Sequence, residues 1–235
     1  MCTNFTPATP RDLIALGLAD RPDALPAPGW AAEAWPGTPV PFALAGEGGA
    51  PRLRLGRFGL VPRWARDEQH ARELSRGTLN ARHETVAEKP SFRAPWREAR
   101  FALVPMRDWF EPCWEDAERH GGRSVRWRIA AADGAPLAVA GLHESWTDRA
   151  SGEIVHSVTL LTLNADGHEL LGRMHRPGDE KRTLAVLPRS DWLAWLTATP
   201  ASAPDFLRRP PPGALVGEPA PLRPLAPPPD QGALF

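Results

Sequence analysis

The sequence predicts a single α+β domain with a mostly antiparallel, barrel-like sheet and flanking helices. Short aliphatic or β-branched runs recur along residues 1–197, and Gly, Pro and Asp separate them. Few of the connections are long enough to hold a crossover helix, which parallel strands require. An antiparallel sheet or barrel is therefore favoured over a doubly wound sheet.

The individual elements follow from the same patterns. Strands are expected at 52–60, 100–105, 124–131, 136–142, 156–164 and 183–187. Helices are expected at 10–18, 64–75, 168–174 and 190–197, the last with Ser190 as its N-cap. Residues 198–235 are rich in Pro and Ala without apolar periodicity, and we expect a mostly disordered tail.

Composition excludes several classes of protein. In 235 residues, 42% hydrophobic and 24% charged content is typical of a globular chain. The N-terminus lacks the basic and apolar segments of a signal peptide, and no apolar run approaches a membrane span, so a cytoplasmic location is expected. Two cysteines cannot build a disulfide framework or a four-cysteine zinc site, and we expect neither a metal nor a cofactor.

Charge and aromatic residues point to nucleic acid. The net charge is zero, yet residues 51–107 hold thirteen Lys/Arg against six Asp/Glu. Nearly all the basic residues of the chain are arginine, which suits phosphate contacts and base stacking. There are ten Trp and no Tyr. Trp35 precedes Pro36, Trp64 follows Arg63, and Trp109 stands two residues before Glu111. Each can be a core residue or a platform for an unpaired base.

Cys2 has chemistry that no internal cysteine shares. Removal of Met1 would leave an α-amine, which titrates at roughly 7.7–8.0, next to a thiol that titrates at about 8.5. Together they form a 1,2-aminothiol, which condenses with an aldehyde and closes to a thiazolidine ring. The mature protein is therefore expected to begin at Cys2.

Six segments form an ordered set along the chain. They are 1–2 (MC), 58–64 (FGLVPRW), 79–85 (LNARHET), 103–111 (LVPMRDWFE), 140–144 (AGLHE) and 162–175 (TLNADGHELLGRMH). This set resembles the SOS response-associated peptidase (SRAP) family, which crosslinks abasic sites in single-stranded DNA. The resemblance covers residues 1–197 and implies a mixed domain with a β-barrel-like core and a groove for single-stranded DNA.

The resemblance also implies roles for individual residues. Cys2 would be the nucleophile, Asn80 would orient the reacting group, and Glu111 would shuttle protons during imine formation and ring closure. His175 would protonate the sugar ring oxygen and promote opening to the aldehyde. His168 remains the rival histidine, because it too precedes the final strand.

DNA binding would depend on further residues. Arg82 matches the family's phosphate-holding arginine, and Thr162 is expected near the site. Arg63, Trp64 and Pro36 are also expected to contact DNA. The partner would be single-stranded DNA with abasic sites, and a monomer is expected.

The chain departs from the family pattern in three places. It begins Cys2-Thr3-Asn4 where the family has Cys-Gly-Arg, so one phosphate-binding arginine is missing. Residues 112–114 (PCW) follow Glu111 where the family has Trp, and for Cys113 a buried, unreactive thiol is favoured. An insertion separates His175 from the strand, so that residues 182–184 (RTL) stand where the family has Arg-Met-Pro.

Three functions remain open on this evidence. The first is covalent capture of abasic sites, with an abasic-site lyase side activity if the imine eliminates before the thiol traps it. The second is an N-terminal-nucleophile thiol peptidase with Cys2 and His175 as a dyad, its action limited to Met1 removal. The third is a noncovalent module that binds single strands through Arg and Trp alone.

Overall fold

The fold is organised around one mixed sheet of eleven strands. The structure is a computed structural model, and it describes residues 2–20, 29–115 and 117–222. The strands are β1 (Phe5–Pro7), β2 (Pro39–Ala45), β3 (Pro51–Phe58), β4 (Asn80–Arg82), β5 (Phe101–Cys113), β6 (Val125–Ala131), β7 (Leu137–Thr147), β8 (Ile154–Asn164), β9 (Arg182–Leu184), β10 (Val186–Leu187) and β11 (Leu215–Pro219). The helices of this part are α1 (Pro10–Ala15), α2 (Glu68–Gly77), α3 (Arg93–Arg97) and α4 (Trp192–Leu196). The predicted α+β class is confirmed, with strands dominating.

Five of the strands close a ring of hydrogen-bonded pairs. β5 pairs with β7, β7 with β8, β8 with β3 and β3 with β2, and β2 returns to β5 through the Ala43–Leu103 pair. Within the described residues every pairing is antiparallel except those of β8 with β3 and with β4. Short connections such as β2–β3 and β7–β8 explain this, because hairpins join antiparallel neighbours.

The long strand β5 separates two buried clusters and positions the N-terminus. One cluster contains Phe5, Phe42 and Trp109, and the other contains Phe101 and other apolar residues. Successive side chains alternate across a strand, so Glu111 lies on the same face of β5 as Trp109 and faces the first cluster. Cys2 belongs to that cluster, because β1 pairs antiparallel with β5 at Phe5–Trp109.

Three predicted helices differ from the observed ones. Helix α2 begins after Asp67, whose carboxylate accepts the His70 N–H at 2.8 Å, and not at residue 64. Helix α4 begins at Trp192, and Ser190 is not its N-cap, because the Ser190 hydroxyl donates to the Asp191 carboxylate. The helix expected at 168–174 is only a 3₁₀ turn at Leu171–Arg173. No helix in the described ranges is both long and apolar enough to cross a membrane.

The expected tail at 198–235 differs from the structure in its first part. β11 pairs antiparallel with β6 from Leu215 to Pro219, and Ala203, Leu207 and Leu215 are buried. A short edge strand needs little periodicity of its own, because the unpaired edge of β6 supplies its hydrogen bonds, and an edge position tolerates Pro219. The fold therefore extends past residue 197, and the expectation for 223–235 lies outside the described residues.

Candidate active site

The buried N-terminal segment holds Cys2 beside β4 and β5. The Phe110 N–H donates to the Asn4 carbonyl at 3.1 Å, which continues the β1–β5 pairing towards the N-terminus. The Cys2 side chain is fully buried, and its thiol contacts the Asn4 carbonyl at 3.4 Å. From β4, the Asn80 side-chain amide donates to the Cys2 carbonyl at 2.7 Å. Two separate strands therefore fix the position of Cys2.

Glu111 and His175 form a buried acid–base pair at the end of β5. His175 Nε2 lies 2.9 Å from Glu111 Oε2, and both side chains are at most 9% exposed. This distance allows one proton to pass between carboxylate and imidazole. A pair of this kind can supply an acid in one step and a base in the next.

His175 lies in a loop that backbone pairing and hydrogen bonds hold in place. Met174 forms a β-bridge with Cys113, and the His175 N–H donates to the Pro112 carbonyl at 2.7 Å. His175 has a φ of +63°, in the left-handed region that non-glycine residues seldom adopt. The Lys181 ammonium donates to the His175 carbonyl at 3.2 Å and to the next carbonyl at 2.9 Å. Sequence reasoning missed Lys181, which lies within the insertion.

The thiol of Cys2 is held in its neutral form. Burial raises the pKa of the Cys2 thiol well above its ordinary range, and the neighbouring Glu111 carboxylate raises it further. A thiolate beside that carboxylate would be both unsolvated and repelled. The group that this site offers at neutral pH is therefore a thiol next to a carboxylate able to accept its proton.

Asn80 keeps one polar atom available. Its Oδ1 is buried and has no hydrogen-bond partner among the described residues, although its amide nitrogen is bonded to Cys2. A buried acceptor without a partner costs free energy unless a bound group satisfies it. The structure thus brings together the four candidate catalytic residues, which are Cys2, Asn80, Glu111 and His175. In the described part of the chain, no group of three or more His, Cys, Asp or Glu residues is placed to hold a metal ion.

His168, the rival histidine, has a different local role. Its Nδ1 accepts the backbone N–H groups of Leu170 and Leu171, each at 3.2 Å. These bonds cap the 3₁₀ turn that replaces the expected helix. Its imidazole therefore stabilises the turn, and the histidine paired with Glu111 is His175.

Arg182 is the centre of a hydrogen-bond network beside β4 and β8. The buried Arg182 guanidinium pairs with both carboxylate oxygens of Glu84 at 2.9 Å, and it donates to the Thr162 carbonyl and hydroxyl at 2.7 and 3.1 Å. Thr162 is buried by this network. Arg82 is half exposed and pairs with Glu180 at 2.7 Å, so a phosphate would compete with that carboxylate.

The other predicted DNA contacts, Arg63, Trp64 and Pro36, are exposed at the surface. Arg63 donates to Glu144 at 3.0 Å and to Glu98 at 2.7 and 3.1 Å, so two carboxylates already hold its guanidinium. Trp64 is half exposed, and Pro36 is exposed in the turn after Trp35. Of the other two Trp considered as stacking platforms, Trp109 is fully buried in the core and Trp35 is 39% exposed.

A guanidinium does lie beside residue 4, although the sequence has no arginine there. Arg126 of β6 donates to the Asn4 side chain, pairs with Glu33 at 2.9 Å, and lies 3.2 Å above the centre of the Phe110 ring. Residues 125–131 (VRWRIAA) alternate arginine with apolar residues, and this alternation is the signal that places Arg126 on one face of a strand.

The chain is similar to known proteins of one family. The family model of the SOS response associated peptidase (SRAP) matches residues 1–218. The abasic site processing protein YoaM of Bacillus subtilis is 30% identical over 167 residues, which are 71% of this chain and 66% of the relative, so the match leaves a third of that protein uncovered. The abasic site processing protein HMCES of Pongo abelii is 25% identical over 46% of this chain and 36% of its own length.

A solved structure shows the same fold. A crystal structure of a Bordetella bronchiseptica protein from a structural genomics consortium superposes with a TM-score of 0.83 at 32% identity, covering 94% of this chain and all of the other. A Bacteroides thetaiotaomicron protein of known structure superposes with a TM-score of 0.68 at 24% identity, over 79% of this chain and 76% of the other, which supports the fold alone. The family match over nearly the whole described chain shows that this protein belongs to the SOS response associated peptidase (SRAP) family.

Proposed function

We propose that this protein processes abasic sites in single-stranded DNA by forming a covalent thiazolidine between Cys2 and the opened sugar. The observation that carries the proposal is the buried arrangement in which Asn80 holds the Cys2 backbone while the Glu111–His175 pair adjoins its thiol. Relatives named as abasic site processing proteins support the substrate class. One chain supplies all four residues, so a monomer suffices.

The reaction begins at the sugar. His175 donates a proton to the ring oxygen O4′, the C1′–O4′ bond breaks, and the C1′ hydroxyl releases its proton to solvent as it becomes the aldehyde. The Cys2 α-amine, free once Met1 is removed, adds to that carbon to give a carbinolamine. Protonation by the Glu111–His175 pair lets water leave, and an imine remains.

The thiol then closes the ring. Its sulfur adds to the imine carbon, the S–H proton passes to Glu111, and the imine nitrogen gains a proton to become the ring amine. The raised pKa of the thiol favours this order, because a neutral thiol leaves the first attack to the amine. If the imine loses its C2′ proton before capture, β-elimination cleaves the strand, which is the lyase side activity.

The alternatives receive less support. A thiol peptidase needs a thiolate, and burial together with Glu111 disfavours that form of Cys2. Peptidase action is therefore proposed only for removal of Met1, which lies outside the described residues. A noncovalent binder would not require a buried carboxylate–imidazole pair beside a cysteine.

Intact-mass spectrometry tests the proposal. Purified protein is expected to begin at Cys2 and to gain the mass of an abasic oligonucleotide minus one water. The adduct should survive heating. Cys2→Ala keeps an α-amine but lacks sulfur, so it is expected to give only reversible imine or strand cleavage. Active protein that retains Met1, or a heat-stable Cys2→Ala adduct at wild-type yield, would rule out the thiazolidine mechanism.

A further inference from the structure

An arginine-lined cleft lies between chain segments that lead to Cys2 and to Asn80. It has a volume of about 420 Å³, and its walls come from the turn after Trp35, the end of β3 and the last turns of α2. The lining residues are Pro36, Gly37, Thr38, Arg57, Arg72, Ser75 and Arg76. Three of these seven are arginine and none is acidic, so the cleft favours an anion.

The positive charge of the cleft is only partly neutralised. Glu68 Oε1 accepts from Arg57 and from Arg72, each at 2.7 Å, so one carboxylate serves two guanidinium groups. Arg76 is exposed and forms no ion pair within the described ranges, and Glu73 on the same helix bonds to Gln69. Arg57 Nη1 is buried and has no hydrogen-bond partner among the described residues.

Chain connections place the cleft close to Cys2 and Asn80. Ala34, two residues before Pro36, pairs with Phe5, which is three residues after Cys2. On the opposite wall, Arg76 precedes Asn80 by four residues, which span at most about 14 Å of extended chain.

We propose that this cleft binds the backbone phosphates of the DNA strand on one side of the abasic nucleotide, an inference that rests on the proposed function. Arginine presents a planar fork that matches phosphate oxygens, and Arg72 and Arg76 are one helical turn apart on the same face of α2. Trp35, at 39% exposure beside Pro36, offers a ring on which a flanking base stacks.

Oligonucleotides with a flank on only one side of the abasic nucleotide test the cleft. Three substrates are compared, with nucleotides only on the 5′ side, only on the 3′ side, or on both. The variant is the Arg72→Ala/Arg76→Ala double substitution, and the matched control is Arg208→Ala, an exposed arginine outside the cleft. Because Arg76 has no ion pair in the described chain, Arg76→Glu serves as a second variant that leaves the Arg72–Glu68 pair intact.

For one of the two single-flank substrates, the Kd of the double variant is expected to be about tenfold higher than that of wild type, because a charge-assisted contact with phosphate is lost. The other single-flank substrate should keep its Kd, and the crosslinking rate at saturating DNA should stay unchanged. The slope of log K against log salt should fall by about 0.7 per lost contact. Arg76→Glu should show the same flank preference.

Equal losses on both flanks, no loss, or the same loss in Arg208→Ala would overturn the proposal. Failure of the proposed function gives a different result, because wild-type protein would then form no adduct with any of the three substrates. The cleft is tested even then, by the salt-dependent Kd of an undamaged single strand for wild type and both variants. Unchanged binding of that strand would reject the cleft independently of the chemistry.

Discussion

Cys2 differs from Cys113 because of what surrounds each sulfur. Both thiols are buried, but only Cys2 adjoins a carboxylate that is itself paired with an imidazole. Cys113 Sγ lies 3.9 Å from the Arg173 carbonyl, in agreement with the expectation of a buried thiol, and the backbone of Cys113 joins β5 to the loop of His175. Cys2 is therefore the cysteine that we propose as the nucleophile.

Glu111→Gln is expected to slow adduct formation by about 10²–10⁴-fold, because it removes the proton carrier and keeps the shape. His175→Ala should be impaired most where ring opening limits the rate. The measurement is the single-turnover rate at saturating abasic DNA, with Kd measured separately.

His168→Ala is the matched control for His175→Ala. Because its Nδ1 caps a turn, its loss should lower thermal stability slightly and leave the rate unchanged. A slower His168→Ala than His175→Ala would move the catalytic histidine to position 168.

The loop between β8 and β9 depends on Lys181 for its shape. Two carbonyls at the start of the loop, those of His175 and Arg176, receive hydrogen bonds from this one ammonium. His175 has a positive φ, which persists only where surrounding contacts enforce it. Lys181 therefore acts as a positioning residue for the imidazole.

Lys181→Met is expected to lower the single-turnover rate about tenfold, because it removes the two hydrogen bonds that hold the loop of His175, while the Kd for DNA and the melting temperature stay near wild type. Lys181→Arg restores a donor and should recover much of the rate. Parallel losses of rate and melting temperature in Lys181→Met would show a general structural role.

The strand β11 makes the C-terminal region part of the fold. A chain that ends at residue 222 keeps the pairing of β11 with β6 and should match the full chain in melting temperature and crosslinking. A chain that ends at residue 198 loses β11 and the buried Leu207 and Leu215 side chains, at about 1.5–3 kcal/mol for each buried leucine. Thermal unfolding of the two truncations measures the difference, and equal melting temperatures would return the boundary to residue 197.

Acid sensitivity of the whole fold is predicted from His143, a partly buried histidine on the ring of strands. Burial lowers the pKa of His143 from 6.5 to about 4, and the nearby charges of His156, Arg54 and Arg63 act in the same direction. Between these two values the unfolded chain binds more protons than the folded protein, so the unfolding free energy falls as the pH drops from 6.5 to 4. At 1.36 kcal/mol per pKa unit, this loss amounts to about 3 kcal/mol.

Urea unfolding at pH 7.0, 5.5 and 4.5 measures this dependence. His143→Gln removes the titrating group, so the variant should lose less stability than wild type over this pH range. The carboxylates are the same in both proteins, so their effect on stability cancels in the comparison. Identical pH slopes in the two proteins would assign the acid sensitivity to other groups.

The sequence alone predicted the repeated strands and the α+β class, and it supplied the candidate site residues. Strand periodicity is local, so β3, β6 and β8 lie close to their predicted ranges, whereas β5 and β7 continue well past residues 105 and 142, where their predicted ranges end. β2 escaped notice because Pro39 and Pro41 lie within it, and β4 because it has only three residues. Cys2 could be found because a cysteine next to Met1 has a chemistry of its own, whereas Asn80 and Glu111 were indicated by the resemblance of their segments to the SRAP family.

Only the tertiary structure decided which charged groups meet. Residues far apart in the chain pair across strands, so a sequence pattern cannot tell that Arg63 is held by Glu98 and Glu144 or that Arg126 reaches Asn4. The same reason applies to the two histidines: both precede the final strand, but loop geometry brings His175 to Glu111 and directs His168 to a backbone turn. Long-range packing sets these distances, and proton transfer and phosphate binding depend on them.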